Sequence, residues 1–253
     1  MPYFTADLHI HTVLSACAEI EMLPDLIVEQ AQRLGLGLIA ITDHNSAENA
    51  AAMLSVARGT GIAVLPGMEV QTREEVHLIC LFDTLEQASA WQEEVYAHLP
   101  RMKNREEVFG TQIVLDAEGN PVGHNDRLLL TSISLSVDEV VRRVHRLNGL
   151  CIPAHVDRPA YSIISNLGFI PPDLEIAGVE ISHLVRAKEA RERFPQLLRY
   201  SLIASGDAHR LKELVARTTF KVEEATVAEL AQALAGEGGR EVWVDGVCSG
   251  RTH

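Results

Sequence analysis

Apolar residues along this chain come in short runs that end in polar clusters, and longer amphipathic stretches separate them. Tyr3-Phe4-Thr5-Ala6-Asp7-Leu8, Leu38-Ile39-Ala40-Ile41-Thr42 and Ile62-Ala63-Val64-Leu65 read as buried strands, being too short for helices. Residues 149–153, 176–181 and 201–205 repeat that pattern. After the first run, Ile20, Leu23, Leu26, Ile27, Ala31 and Leu34 recur near helical spacing. Pro24 suits a first helical turn, and Gly35 and Gly37 punctuate the end, so a helix is expected over residues 24–34. Asn45 or Ser46 is expected to cap an Ala-rich helix that runs to about Arg58. Residues 85–99 and 225–234 also read as helices. Residues 136–147 add a capping box, with Glu139 three positions after Ser136.

Two stretches depart from this alternation. Residues 69–81 read as a hairpin with 71–75 at its turn, which makes Glu69 and His77 cross-strand neighbours about Arg73. Residues 100–135 are polar, contain a turn at 116–121 and exceed an ordinary loop. They read as an insertion, either a cover for a site or a surface excursion. The remaining βα alternation predicts a mostly parallel sheet with helices outside. The length of 253 residues fits a closed barrel as a single domain over 1–253. An open doubly wound sheet would gather its functional groups at one switch point. Here they follow strands along the whole chain, which favours an α/β, TIM-like barrel.

Composition narrows the classes. A hydrophobic fraction of 47% supplies a full core. No run reaches the roughly 18 apolar residues needed to cross a bilayer. The first residues carry no charged region followed by an apolar one, so no signal peptide is expected and a cytoplasmic location is the default. Lys and Arg number 22 against 35 Asp and Glu, a net charge of −13. Affinity for nucleic acid rests largely on cations neutralising phosphates. A long nucleic acid is therefore disfavoured, no membrane is implicated, and a small phosphorylated substrate is expected. Oligomeric state leaves no signal. Cys80 and Cys151 lie in apolar runs and read as buried thiols.

The polar clusters carry the chemistry. His9 and His11, two apart on a strand, present both imidazoles to one face, with Asp7 placed to orient one of them. Asp43-His44, Glu69, His77, His155 and Asp207-Ala208-His209 follow or flank later apolar runs. A carboxylate such as Glu69 can bridge two cations roughly 3.5–4 Å apart. Gly206 lets backbone approach closely. Any one cluster also fits a capped loop or a satisfied core histidine. Together they are ligands for borderline or hard cations and point to a multinuclear metal site. No GxSxG, Walker A or HExxH motif competes. Metal-activated water is then the expected nucleophile, with Asp207, His209 or a neighbouring histidine protonating the leaving group. Arg158, in a loop before Pro159, leads the candidates for holding phosphate, followed by Arg186 and by Arg210 beside His209. Tyr161 and Ser162 read as pocket lining, and Glu180 and His183 as supports.

These motifs, in this order, resemble the PHP ("polymerase and histidinol phosphatase") family. The matching residues are Asp-Leu-His-Ile-His at 7–11, Thr-Asp-His-Asn at 42–45, Gly-Met-Glu at 67–69, His77, Pro-Ala-His at 153–155 and Gly-Asp-Ala-His at 206–209. The resemblance covers about residues 3–214. It implies a distorted (β/α)7 barrel and two or three divalent ions, zinc, manganese or iron. On it, His9, His11, Glu69 and Asp207 would hold a first ion. Glu69, His77 and His155 would hold a second, and His44 and His209 would contribute to a third, with Asp43 adjacent. Cys17 stands where many members carry a histidine, and is expected either to replace that ligand as a thiolate or to pack beside a weakened site. The implied activity is a metal-dependent phosphoesterase acting on a small phosphorylated metabolite. Alternatives are a 5′→3′ exonuclease on short oligonucleotides and a non-catalytic metal- or ligand-sensing module. A metal-dependent amidohydrolase usually needs a bridging lysine, and no lysine follows a strand in mid-chain.

Overall fold

Runs of four to five apolar residues make strands here because both of their faces are covered. In the computed structural model, which describes residues 1–249, the strands are β1 (Tyr3–Ile10), β2 (Leu38–Ile41), β3 (Ala63–Gln71), β4 (His77–Leu81), β5 (Ile113–Leu115), β6 (Pro121–His124), β7 (Leu150–Pro153), β8 (Gly178–Ser182), β9 (Ser201–Ser205), β10 (Thr218–Lys221), β11 (Glu241–Val244) and β12 (Val247–Cys248). The helices are α1 (Pro24–Arg33), α2 (Ala50–Ala57), α3 (Leu85–His98), α4 (Glu106–Phe109), α5 (Val137–Arg146), α6 (Ile163–Leu167), α7 (Ala187–Arg193) and α8 (Val227–Ala235).

Strands β1, β2 and β3 pair in parallel. β4 turns back antiparallel on β3, and β7 is antiparallel to β4, so β7 again points the same way as β3. β8 and β9 form a parallel pair. Backbone bonds close the ring on both sides of that pair. The Val156 N–H donates to Glu180 O (2.8 Å), and beyond β9 the Ala208 N–H donates to His9 O (3.0 Å). The result is a curled seven-strand barrel with one inverted strand, the distorted TIM-like architecture that the motifs imply. β10, β11 and β12 extend the sheet antiparallel from the first half of β1. These short strands carry no pattern that the sequence reading picks up.

Interior and exterior separate by strand parity. Leu8, Ala40, Leu65, Ile79, Ile152 and Ile203 pack together from different strands. Ile39 and Ile41, on the other face of β2, pack on Ile27 and Ala31 of α1 and on Met53 of α2. The capping box of α5 forms as expected: the Ser136 N–H donates to Glu139 Oε2 (2.9 Å) and the Glu139 N–H to Ser136 Oγ (3.2 Å). α2 starts later than expected, at Ala50. Asn45 does not cap it: its Oδ1, the acceptor that a cap would use, accepts from the Gln71 N–H (3.3 Å), and its Nδ2 donates to the carbonyls of Leu129 (2.7 Å) and Thr131 (2.8 Å). Residues 100–135 therefore brace the loops at one end of the barrel. The Ile113 N–H donates to Val13 O (2.9 Å), and Asn49 Nδ2 to Ile113 O (3.0 Å). Among the described residues, no helix is long and apolar enough to cross a membrane.

Candidate metal centre

β1, β2, β7 and β9 finish at one end of the barrel, and β4 begins there because it is inverted. His77, the first residue of β4, thus joins groups that arrive at strand C-termini. The hairpin pairs Gln71 with His77 and Glu69 with Ile79, so it turns about Glu74, one residue later than the sequence reading places it. Glu69 and His77 are diagonal rather than directly opposed, and still meet, with Nδ1 2.7 Å from Oε1.

Glu69 is the hub. Its oxygens lie 3.2 Å from His9 Nε2, 3.0 Å from His44 Nδ1 and 3.2 Å from His155 Nε2. Asp207 Oδ1 lies 3.1 Å from His11 Nε2 and 3.3 Å from His9 Nε2. Among the described residues, three donor sets each fit within 4.8 Å: His9, His11, Glu69 and Asp207; His44, Glu69 and His77; His11, His44 and His209. Glu69, His11 and His44 each belong to two sets, as a polynuclear site requires. His9 Nε2 and Glu69 Oε2 are buried and make no hydrogen bond. Lone pairs held this close without bonding one another suit a cation placed between them, so the donor set fits divalent ions.

Burial pushes the Glu69 carboxyl up, but the charges on His77, His9 and His44 outweigh it and hold it well below the usual range. Burial likewise raises Asp207, and His9 and His11 bring it well below its ordinary value. Burial lowers His11, helped by repulsion from His209 and His44.

The groups behind these donors fix their tautomers. His9 Nδ1 lies 3.1 Å from Glu180 Oε1, which also accepts the His155 N–H (3.0 Å), so in its neutral, ion-binding form His9 turns the Nε2 lone pair to the cluster. Ser15 spends its one hydroxyl proton on Asp43 Oδ1 (2.7 Å), so Ser15 Oγ accepts from His11 Nδ1 (2.9 Å). His209 Nδ1 donates to Asp207 O (2.9 Å), which leaves Nε2 3.1 Å from Cys17 Sγ. Desolvation raises that thiol, and hydrogen bonds to His209 and His44 together with their charge bring it down to about 6.

Several sequence expectations are corrected. Asp43 is in none of the donor sets: it accepts from the Thr12 N–H and Oγ1 (both 2.7 Å) as well as from Ser15, and so anchors the loop after β1. Asp7 does not orient an imidazole. β1 advances from Asp7 to Ile10 while β2 advances only from Ile39 to Ile41, a bulge that breaks the alternation between Asp7 and His9. Asp7 accepts from the Gly206 N–H (3.0 Å) and the Val215 N–H (2.9 Å) instead, and burial pushes its carboxyl up to about 7. Gly206 is required there, since a Cβ would lie 2.3 Å from Glu213 O. Arg186 pairs with Asp245 (3.7 Å) beside a separate cavity, and Arg210 grips Glu19 through Nε (3.2 Å) and an Nη (3.1 Å). Neither approaches the cluster as a phosphate ligand would. Ser15 and Thr12 place His11 and its loop, and no motif in the sequence marks them.

Arg158 does reach the site and pairs with Asp207. A cavity of about 390 Å³ opens here, lined by His44, Glu69, His77, His155, Arg158, Pro159, Ala160, Tyr161, Asp207 and His209. None of these residues comes from 100–135. His155 (φ 31°), Asp207 (φ 48°) and Tyr161 (φ 56°) all adopt left-handed backbone, a strain that concentrates at functional sites.

The PHP domain profile matches residues 7–162, and the chain belongs to that family. Its fold is similar to that of the lesion-specific endonuclease Endonuclease Q from Pyrococcus furiosus: 22% identity, TM-score 0.69, covering 95% of this chain and 58% of that one. It is similar, too, to an Endonuclease Q complex with a 27-mer duplex that has an abasic lesion at the active site (22%, TM-score 0.65, 94% and 58%). A Bifidobacterium adolescentis protein assigned as a metal-dependent phosphoesterase shares the fold at 20% identity and TM-score 0.54, covering 81% of this chain and 87% of that one. The chain spans less than two thirds of the Endonuclease Q chains. No curated protein matches. Family and cluster together indicate a metal-dependent hydrolase. The expectation of a small substrate, with long nucleic acid disfavoured, is overturned: a protein of this architecture is solved with duplex DNA at its active site. Net charge averages the whole surface, whereas phosphates are gripped by local groups.

Proposed function

We propose that this chain is a metal-dependent phosphoesterase that cleaves a phosphodiester in nucleic acid. The observation that carries the reading is Glu69, a buried carboxylate ringed by His9, His44, His77 and His155 within 3.2 Å. His9, His11, Glu69 and Asp207 would hold one divalent ion, and Glu69, His77, His155 and His44 a second. His11, His44 and His209 offer a third position, with Cys17 at its edge. Bound ions there, zinc, manganese or iron, supply an activated water and neutralise charge building on the phosphate. Arg158 binds a non-bridging phosphate oxygen from the cavity wall, in place of part of its contact with Asp207. Where the third position holds no ion, His209 Nε2 donates the proton to the leaving oxygen, its Nδ1 being held by Asp207 O. Burial lowers this imidazole, but the Cys17 sulfur and the charge of Asp207 outweigh it and raise it, which favours a protonated donor. Glu180 and Ser15 keep His9 and His11 in the tautomers that present Nε2.

The test is cleavage of labelled single strands, duplexes and duplexes with one abasic site by protein loaded in turn with zinc, manganese and ferrous iron. Cleavage should vanish on chelation and fall by about a hundredfold or more in His9→Ala and Asp207→Ala, since even groups behind a ligand are worth about 10–100-fold. No cleavage with any ion, or undiminished cleavage by both variants, would overturn the reading.

A further inference from the structure

We propose that Tyr161 is a stacking platform for the nucleobase beside the scissile phosphate, so that the site reads a base as well as a phosphodiester. The inference rests on the nucleic-acid reading above and names the part of that substrate which the metal centre does not touch.

The side chain lies one ring away from the hub. Its ring stacks on His77 at 4.8 Å between centroids and 21° between planes, and His77 Nδ1 is 2.7 Å from Glu69 Oε1. Tyr161 lines the same cavity as Glu69 and Asp207. His77 covers one face of the ring, yet the residue is 47% exposed, so surface is left for a second planar group. A tyrosine serving only the core would be buried.

The backbone reinforces this reading. Tyr161 has φ 56°, where a bulky L-residue is strained and glycine would sit without cost. The turn itself therefore does not call for an aromatic ring. The strain is held from both sides. The carbonyl of Tyr161 accepts the His77 N–H (2.9 Å), and the next residue, Ser162, caps α6 and donates to Arg158 O (2.8 Å). The ring is thus fixed before any substrate arrives, and ordering it on binding costs little. One short loop, from His155 to Ser162, then carries a donor for the metal centre, the cation of Arg158 for phosphate and an aromatic face. Bases stack on such faces whatever their identity, because each has a π-surface.

The test compares two labelled single strands of equal length, one carrying bases and one built wholly of abasic tetrahydrofuran units, with metal-loaded wild type, Tyr161→Ala, Tyr161→Phe, Tyr161→Trp and Tyr161→Leu. Binding is read by fluorescence anisotropy, separately from cleavage. Wild type should prefer the base-bearing strand by about tenfold. Phe and Trp should keep that preference. Ala and Leu should lose it without changing affinity for the base-free strand, and the Leu variant decides if Ala does not fold. Equal weakening on both strands, an unchanged preference in Ala and Leu, or no preference in wild type would overturn the inference. Wild type that binds both strands and cuts neither would defeat the phosphoesterase reading while the Tyr161 comparison still decides. No binding to either strand would overturn both.

Discussion

At the scale of single residues, the ligand types and one support, Glu180, were legible, and the supports from Ser15 and Thr12 were not. Imidazoles and carboxylates two apart after apolar runs announce themselves, because few other roles put several of them at successive strand ends. Ser15 aligns His11 only because the chain folds back on Asp43, which no local spacing encodes. Asp43 shows the converse: it looks like a ligand by type and is engaged as a loop anchor by Thr12 and Ser15. Glu180 offers the sharpest residue-level prediction. It holds His9 Nδ1 from behind, so Glu180→Gln, which keeps the shape and removes the charge, should weaken metal binding by about 10–100-fold. Competition with a chromophoric chelator measures this, and unchanged affinity would separate Glu180 from the centre.

At the scale of elements, periodicity located most strands and helices, and register decided what they present. The bulge in β1 turns Asp7 away from His9 although the two are two residues apart. The one-residue shift in the β3–β4 turn moves His77 from opposite Glu69 to diagonal, and the long imidazole makes up the difference. Both effects arise from hydrogen-bond pairing with neighbouring strands, which a single strand's pattern does not contain. Local signals were read correctly where no distant partner competed for the same side chain, unlike the cap expected at Asn45. The α5 capping box is such a case. Ser136→Ala removes the acceptor for the Glu139 N–H and should cost about 1 kcal/mol in urea unfolding, without altering metal content.

At the scale of the whole molecule, the appended strands are tied to the barrel by charge. Arg217 grips Asp245 through Nε (2.8 Å) and an Nη (2.7 Å), and the same Nη donates to Val185 O (2.8 Å). The link joins the β10–β11 ribbon to the segment after β8. The Arg217 hydrogen bonds lower the Asp245 carboxyl in the folded state. A carboxyl depressed on folding adds stability above its unfolded pKa of about 3.9, and that stability is lost as pH falls through the lower folded value. Asp245→Asn should therefore lower the Tm at pH 7, and the gap to wild type should close as pH falls below about 4. A gap that stays constant into that range would assign the loss to packing. The same scale explains why a net charge of −13 misled the reading of partners. Under the proposed function, phosphate would be met by Arg158 and the cluster of donors in one cavity, and net charge does not report on such a local contact.

The chain's residues by themselves determined the barrel class, most of its elements and the eight His, Glu and Asp groups that meet at its mouth. These rest on spacing within an element, where backbone geometry is periodic and one residue predicts the direction of the next. Only the tertiary structure decided the register that sets His77 diagonal to Glu69, that Arg186 and Arg210 stand on Asp245 and Glu19 away from the cluster, and that Tyr161 faces the same cavity as Glu69. Distances between elements depend on strand order, register and packing, and those are settled by the whole core at once.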